Sequence, residues 1–462
     1  MILEAIKKKR YHYQNHNSLS CYFYFLVISL DFMNKLYIVL LIRHLLDGNS
    51  KKMKIYISLP VFNEIEYLPK TINSIKRQSY SNFKLFVCVN QPDEWWDDIE
   101  KRYICENNQK TLCYLKSLKN ISVTIIDKTS KGNGWNTKKA GVGLARKTLM
   151  DAISNYKQTK KDDIILSLDA DTVFSENYFL SIIENFKAHK KAVALSVPYY
   201  HRLTDNDVVD RAMLRYEIYM RYYSINLWRI KSPYSFTALG SAIALPVWAY
   251  NAIGGITAKK SGEDFYFLQK LRKYGDILLW NKEKVYPYSR FSDRVFFGTG
   301  PAMIKGNLSD WKSYPIYHFS LFDEIKSLYD LFPALFYKDV DNTVSNFFCD
   351  KFKDTDLWQN IRDNYKDEKH FVRACHTKID GLRILQYLKS RQKKEEKRAD
   401  EKNLTEFLYN FYNIEIKKSD IDLSDLSFKK SSVQMLNIIR NFLFKKEEEE
   451  EKLSVNSFKG TS

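Results

Sequence analysis

Cysteine is scarce: six in 462 residues, with no C-x-x-C and no paired Cys/His spacing. That excludes a disulfide framework and the usual zinc modules, and it reads as reduced thiols in a cytoplasmic protein. Proline (10) and glycine (15) are few beside 32 tyrosines and 29 phenylalanines, which argues against long disordered tracts. No internal repeat of fixed period is present. Nor does any uninterrupted apolar run reach the ~18 residues that a spanning helix needs. The greasiest stretch, CYFYFLVISLDFMNKLYIVLLIRHLL (21–46), is broken by Asp31, Asn34 and Lys35. Lys7 to Arg10 before an apolar stretch resemble a signal peptide, yet no small-residue cleavage site follows Leu30. Residues 1–52 are therefore expected to be an amphipathic or poorly ordered membrane-surface extension, or an upstream translation artefact. Met53 would be a natural start.

Acid is the charge in short supply. Lys plus Arg number 73 against 55 Asp plus Glu, a formal +18. Such an excess favours phosphate-bearing ligands or an acidic membrane surface. The basic residues form no nucleic-acid-binding motif, so nucleic acid is not an expected partner. The length implies two or three domains.

From Lys54 to about Asn281, β-rich runs alternate with helical patterns. The strand candidates are 54–60, 84–90, 121–127, 163–168, 192–197, 241–245 and 276–280, most of them continuously apolar, as strands covered on both faces are. Ile65, Leu68, Ile72 and Ile75 recur at helical spacing, and residues 135–156, 175–189 and 261–274 also read as helices. The alternation predicts a layered α/β domain over 53–310 with right-handed crossovers. Beyond Trp311, aromatics at helical spacing and charged segments predict a mostly α-helical region, 311–462, ending in a solvated tail.

In open α/β sheets, ligands bind beyond the carboxyl ends of the strands. Four segments fall at such places: Pro60 to Glu64, Asn90 to Asp93, Asp169 with Asp171, and Gly262-Glu263-Asp264 at a helix start. The other Asp-x-Asp triplets (205/207, 339/341, 354/356 and 420/422) follow no apolar strand. Residues two apart on an extended chain share a side. Asp169 and Asp171 are thus candidates to hold one hard divalent cation, Mn2+ or Mg2+, which would bridge diphosphate oxygens. An Asx-turn before Ser175 explains them equally well. Asp264 is a candidate general base, but Ser261 with Asp264 also approximates a capping box. Arg290 and Arg294, in a Gly-containing segment, could close over a diphosphate or belong to an ordinary surface loop. His318 is a candidate third metal ligand or a packed ring among aromatics.

ISLPVFNEIEYLPKTINSIKRQ, LDADTVF and GGITAKKSGEDFYFLQKLRKYG, in that order, resemble the motifs of inverting family-2 glycosyltransferases with the GT-A fold. The resemblance spans Lys54 to Trp280. It implies a Rossmann-like mixed sheet flanked by helices and transfer of a sugar from a nucleotide-sugar donor to a hydroxyl acceptor. A cell-envelope glycan or glycolipid is the expected acceptor, met at the cytoplasmic face of the membrane by peripheral contact. It also implies roles: Pro60, Asn63 and Glu64 beneath the base and ribose, and Asp169 and Asp171 at the metal and diphosphate. Asp264 would be the base, with Glu263 beside it at the acceptor and Lys131 and Asn136 at the nucleotide. The pattern departs at Val89-Asn90-Gln91, where the family commonly carries acids; Asn90 there can still pair with a base edge. It departs again in the lysine-rich segment Lys147 to Lys161, longer than the family's. A sugar-phosphate nucleotidyltransferase is the alternative, but it needs a glycine-rich basic loop after the first strand, which Pro60 to Glu64 is not. An inactive membrane-surface scaffold is a third.

Overall fold

Seven strands build the central sheet: β1 (Ile55–Val61), β2 (Phe83–Asn90), β3 (Val123–Lys128), β4 (Ile164–Ser167), β6 (Ala194–Ser196), β7 (Ile243–Pro246) and β8 (Ile277–Leu278). Two further strands, β5 (Thr172–Phe174) and β9 (Val285–Pro287), form a separate antiparallel ribbon. The computed structural model describes residues 52–292, 298–393, 398–419 and 421–459, with side chains to 454. The expected extension 1–52 lies outside them almost entirely, as does Arg294. No helix among the described residues is long and apolar enough to cross a membrane.

The sheet runs β3-β2-β1-β4-β7-β6-β8. The first four strands are mutually parallel, β7 is antiparallel to β4 and to β6, and β8 is parallel to β6. The apolar runs of the sequence explain why this sheet is covered on both sides. Ile55, Ile57, Leu59 and Val61 point into one core, together with Leu85, Val87, Val89, Ile164 and Leu166. The residues between them, Tyr56, Phe86, Cys88 and Ile165, point into the other. Period-two alternation thus distributes one continuous apolar run between two cores. Truncating a fully buried member such as Leu59 to alanine would cost about 2–5 kcal/mol.

The helices of this half are α1 (Leu68–Lys76), α2 (Arg102–Ser117), α3 (Val142–Ser154), α4 (Tyr178–Ala188), α5 (Asp207–Arg229), α6 (Val247–Ala252), α7 (Glu263–Tyr274) and α8 (Thr299–Asn307). The helix expected over 135–156 starts only at Val142, because Gly141 takes φ +151° and breaks the chain direction there. Helix α5 was not anticipated from the sequence. It is the hinge of the packing: Ala212, Met213, Tyr216 and Met220 join the sheet core, whereas Leu214, Ile218, Tyr222 and Ile225 join a third, helical core.

That third core gathers α9 (Ser320–Leu335), α10 (Thr343–Phe352), α11 (Leu357–Arg362), α12 (Glu368–Lys378), α13 (Gly381–Gln392), α14 (Asp400–Lys418) and α15 (Val433–Lys459). Its sharing of α5 means that packing continues across residue 310, and from Met53 onward the described residues form one compact unit. A buried ionic cluster fastens the last helix. Glu217 on α5 accepts from His201, Arg221 and Arg440, and Arg221 also bonds Glu447 on α15. The two guanidinium groups hold the Glu217 carboxyl well below the usual carboxylate range, despite complete burial. Such charges are tolerated inside a protein only as satisfied sets.

Candidate functional site

Parallel pairing brings the carboxyl ends of β1, β2 and β4 to one edge of the sheet. Beyond β1, Asn63 adopts a left-handed conformation (φ 55°) and its N–H donates to Asn108 Oδ1 at 2.8 Å, turning the chain so that Glu64 is buried. Pro60 stands inside β1, opposite Cys88, one residue before the strand ends at Val61. Beyond β4, the Leu168 N–H still reaches Ser58 O, and the chain then passes through Asp169 and Asp171 into β5. The Thr172 N–H donates to the Asp169 carbonyl at 3.3 Å, which turns the chain toward β5. Pairing of β5 with β9 carries the chain to Tyr288, whose N–H donates to Asp171 O at 3.0 Å, and so delivers Arg290.

Two arginines organise the acids. Arg146, on α3 and 2% exposed, donates from Nη2 to Asp169 Oδ1 at 2.8 Å and from Nε to Glu263 Oε1 at 3.2 Å. Its Nη1 reaches Ser167 and the carbonyl of Gly240, the latter at 2.9 Å. Gly240 is required by contact: a Cβ there would lie 2.3 Å from Arg146 Nη2. Arg290 donates from one nitrogen to Glu64 Oε1 and to Asp171 Oδ2, each at 2.6 Å, with its guanidinium 4.0 Å from the ring centre of Tyr67.

Asp264 completes the group at the first turn of α7. The N-cap is Gly262, in the left-handed region at φ +70° and with no side-chain cap, so the expected Ser261 capping box is not formed. Asp264 Oδ1 instead accepts from the Phe265 N–H at 2.8 Å. Burial, and next the Glu263 carboxylate, push the Asp264 carboxyl up to about 7 against the pull of Arg146, with Asp169 adding to the rise. Burial likewise raises Asp171, opposed by Arg290 and reinforced by Asp169. Asp264 thus feels the charge of Asp169, an acid distant in sequence.

The other candidates are placed differently. Asn90 is buried at the end of β2, where its amide donates to Val61 O at 3.1 Å. Lys131 pairs with Asp97 at the surface, and the Asn136 side chain accepts from the Lys138 N–H in its own turn. The intervening loop is fixed by Asp93, whose Oδ1 accepts from the N–H groups of Gly132 and Gly134. His318 is engaged by Ser320 and Glu406, away from the aspartate pair, which corrects its expected role as a third ligand. Among the described residues no cluster of three or more His, Cys, Asp or Glu is arranged to hold a metal. Two carboxylates are nonetheless a common protein contribution to Mg2+ or Mn2+ when phosphates supply further oxygens. Among the described residues Asp169 Oδ2 accepts no hydrogen bond, and the paired carboxylates are hard oxygen donors that fit such an ion. Arg146 and Ser167 are the residues that sequence reasoning missed.

Residues 164–312 match the family model described as glycosyl transferase family group 2. That segment includes Asp169, Asp171, Glu263, Asp264 and Arg290. No curated protein matches the chain. Among solved structures it is similar to TarS 1–349 of S. aureus in complex with UDP-GlcNAc, at 13% identity and TM-score 0.37, covering 88% of this chain and 92% of that one. It is also similar to GalNAc-T7 with UDP, GalNAc and Mn2+, at 12% identity and TM-score 0.34, covering 60% and 52%.

Proposed function

We propose that this chain, a family-2 glycosyltransferase with a GT-A sheet, transfers a sugar from a nucleotide-sugar donor to an acceptor hydroxyl with inversion, using Asp264 as the base. The observation that carries the reading is the Arg146 bridge, which ties Asp169 beyond β4 to Glu263, the neighbour of Asp264, at the carboxyl ends of the parallel strands, where burial raises the Asp264 carboxyl. A base with its pKa near the working pH combines availability with proton affinity. Asp264 would take the acceptor O–H proton as that oxygen bonds to the anomeric carbon. The bond from that carbon to the diphosphate oxygen breaks on the opposite face, and the nucleoside diphosphate leaves with the electron pair.

Arg146 sets the stage by holding Asp169 and Glu263 on either side of its guanidinium, which fixes α7 against β4. Glu263, consumed by that bridge, acts on the acceptor through position rather than contact. Arg290 already neutralises Glu64 and Asp171 and can exchange one of them for a diphosphate oxygen, a favourable bidentate partner. Asp169 and Asp171 would hold the divalent cation, which supplies charge neutralisation for the leaving diphosphate. Asn63, Glu64 and Asn90 line the strand ends on the base and ribose side. The +18 charge supports an anionic setting, such as a phosphate-bearing envelope glycan or a glycolipid at the cytoplasmic membrane surface.

The test is a screen of nucleotide sugars with Mn2+ or Mg2+, read by melting temperature and by released nucleoside diphosphate. A ligand at 100 to 1,000 times its Kd should stabilise the chain by about 3–4 kcal/mol. No stabilisation by any nucleotide with either metal would overturn the reading.

A further inference from the structure

A second cleft, of about 710 Å3, opens where α5, the segment after α8, and the start of α14 meet. None of Glu64, Asp169, Asp171, Glu263, Asp264 or Arg290 lines it. Among the described residues its wall carries six cationic side chains, Arg211, Arg215, Lys312, Lys393, Arg398 and Lys429, against the carboxylates of Asp207, Asp400 and Glu401. Two of those three are already committed. Asp400 accepts from Arg215 Nη2 and the Ile316 N–H, and Glu401 accepts from the Phe428 N–H.

Arg215 is the anomaly. It is 1% exposed, held between the rings of Trp311 and Phe428 at 4.9 and 4.6 Å, and its Nε and Nη1 have no hydrogen-bond partner among the described residues. An unsatisfied buried guanidinium edge is costly, and the cost is recovered when an anion takes it. Three observations extend the case. Lys312, Lys393 and Lys429 reach the rim with no carboxylate partner among the described residues. Helix α14, with Ala399 at its N-cap, has no side-chain cap, leaving first-turn N–H groups at the cleft. Asn403 Oδ1, also buried and unpartnered, lines the same space as an acceptor.

We propose that this cleft binds a phosphoryl group. Its oxygens would accept from Arg215, the lysines and the α14 start, while a P–OH would donate to Asn403. That last partner favours phosphate over sulfate, which has no proton to give at neutral pH. Contacts lead from the cleft toward the acids: Arg215 bonds the carbonyl of Tyr314, whose ring meets that of Tyr216, and Tyr216 feels the charge of Asp264. Phosphate borne by the acceptor chain is therefore one source and free phosphate the other. Only the acceptor assignment rests on the transferase reading; phosphate binding itself does not.

The experiment is calorimetric titration of the full chain with inorganic phosphate, sulfate and a sugar phosphate monoester at constant ionic strength. Phosphate should bind saturably and at least tenfold tighter than sulfate. The K312E/K429E double variant, altered only at exposed positions, should weaken it at least tenfold, and Arg215→Met should abolish it. If Arg215→Met fails to fold, the double variant decides. A monoester binding tenfold tighter than phosphate assigns the group to the acceptor, and equal affinity assigns it to the free ion. Absent saturation, equal sulfate binding, indifference to charge reversal, or full competition by a nucleoside diphosphate each overturns the proposal. If nucleotide fails to bind while phosphate binds as described, the transferase reading falls and the cleft stands.

Discussion

Asp264→Asn separates a catalytic carboxylate from a structural one by opposite effects on activity and stability. Burial, then the Glu263 charge, raise the Asp264 carboxyl from 3.8 to about 7. The folded chain therefore holds this proton more tightly than the unfolded chain does. Below pH ~4 both states are protonated, and ionisation of the group costs the fold nothing. Between pH ~4 and ~7 the unfolded state ionises first, so stability falls as pH rises; above ~7 the full penalty stands. At about 1.36 kcal/mol per pKa unit the penalty has an upper bound near 4 kcal/mol. Water reaching part of the carboxyl and the neighbouring charges reduce it to about 1–3 kcal/mol. An amide carries no such penalty. The variant should melt higher than wild type by about 2–6 °C at pH 8, with the difference shrinking steadily toward pH 4. Turnover should drop by about 10²- to 10⁴-fold, the usual worth of a general base. Paired melting curves from pH 4 to 8.5, with folding checked by circular dichroism, measure it. A difference that does not vary with pH, or a variant less stable than wild type at pH 8, would refute the placement of this carboxyl.

Arg146→Met strands Asp169 and Glu263 as unpaired acids and should cost about 3–5 kcal/mol by denaturant unfolding. Since Arg146 opposes the rise in Asp264, any residual activity should move to higher pH, measurable as the acidic limb of kcat/KM against pH. Arg290→Ala removes the cation shared by Glu64 and Asp171; KM for the nucleotide sugar should rise about tenfold or more in steady-state kinetics, with a smaller change in kcat. Arg440→Met leaves Glu217 with one fewer guanidinium partner, so α15 should loosen, with a loss of about 3–5 kcal/mol and faster proteolysis after residue 432.

The strands were legible because their signal is local. A run such as Ile164 to Leu168 is apolar at every position only if both faces are covered, and the alternation of Ile55, Ile57 and Leu59 with Tyr56 between two cores is that condition met in space. The acids at the strand ends were legible for a related reason: a parallel sheet has one carboxyl edge, so any polar residue that ends an apolar strand arrives there. The arginines did not announce themselves this way. Arg146 is joined to Glu263 across 117 residues and Arg440 to Glu217 across 223, and no periodicity encodes the partner. Yet one trace of Arg146 is present in the chain. Ala145, Leu149, Met150 and Ile153 define the buried face of α3, and Arg146 falls within that face, one turn before Met150 and Leu149. A guanidinium in an apolar helical stripe must meet a buried acid or be expelled. The same test finds Arg215 beside Leu214 and Ile218, and Arg221 beside Ile225 on α5. Of these three, Arg146 and Arg221 each meet two carboxylates and leave no buried nitrogen without a partner, and Arg215 is answered only in part among the described residues. A sequence can therefore reveal which helical positions demand a counter-charge, but the structure alone shows which demand is left for a ligand to meet.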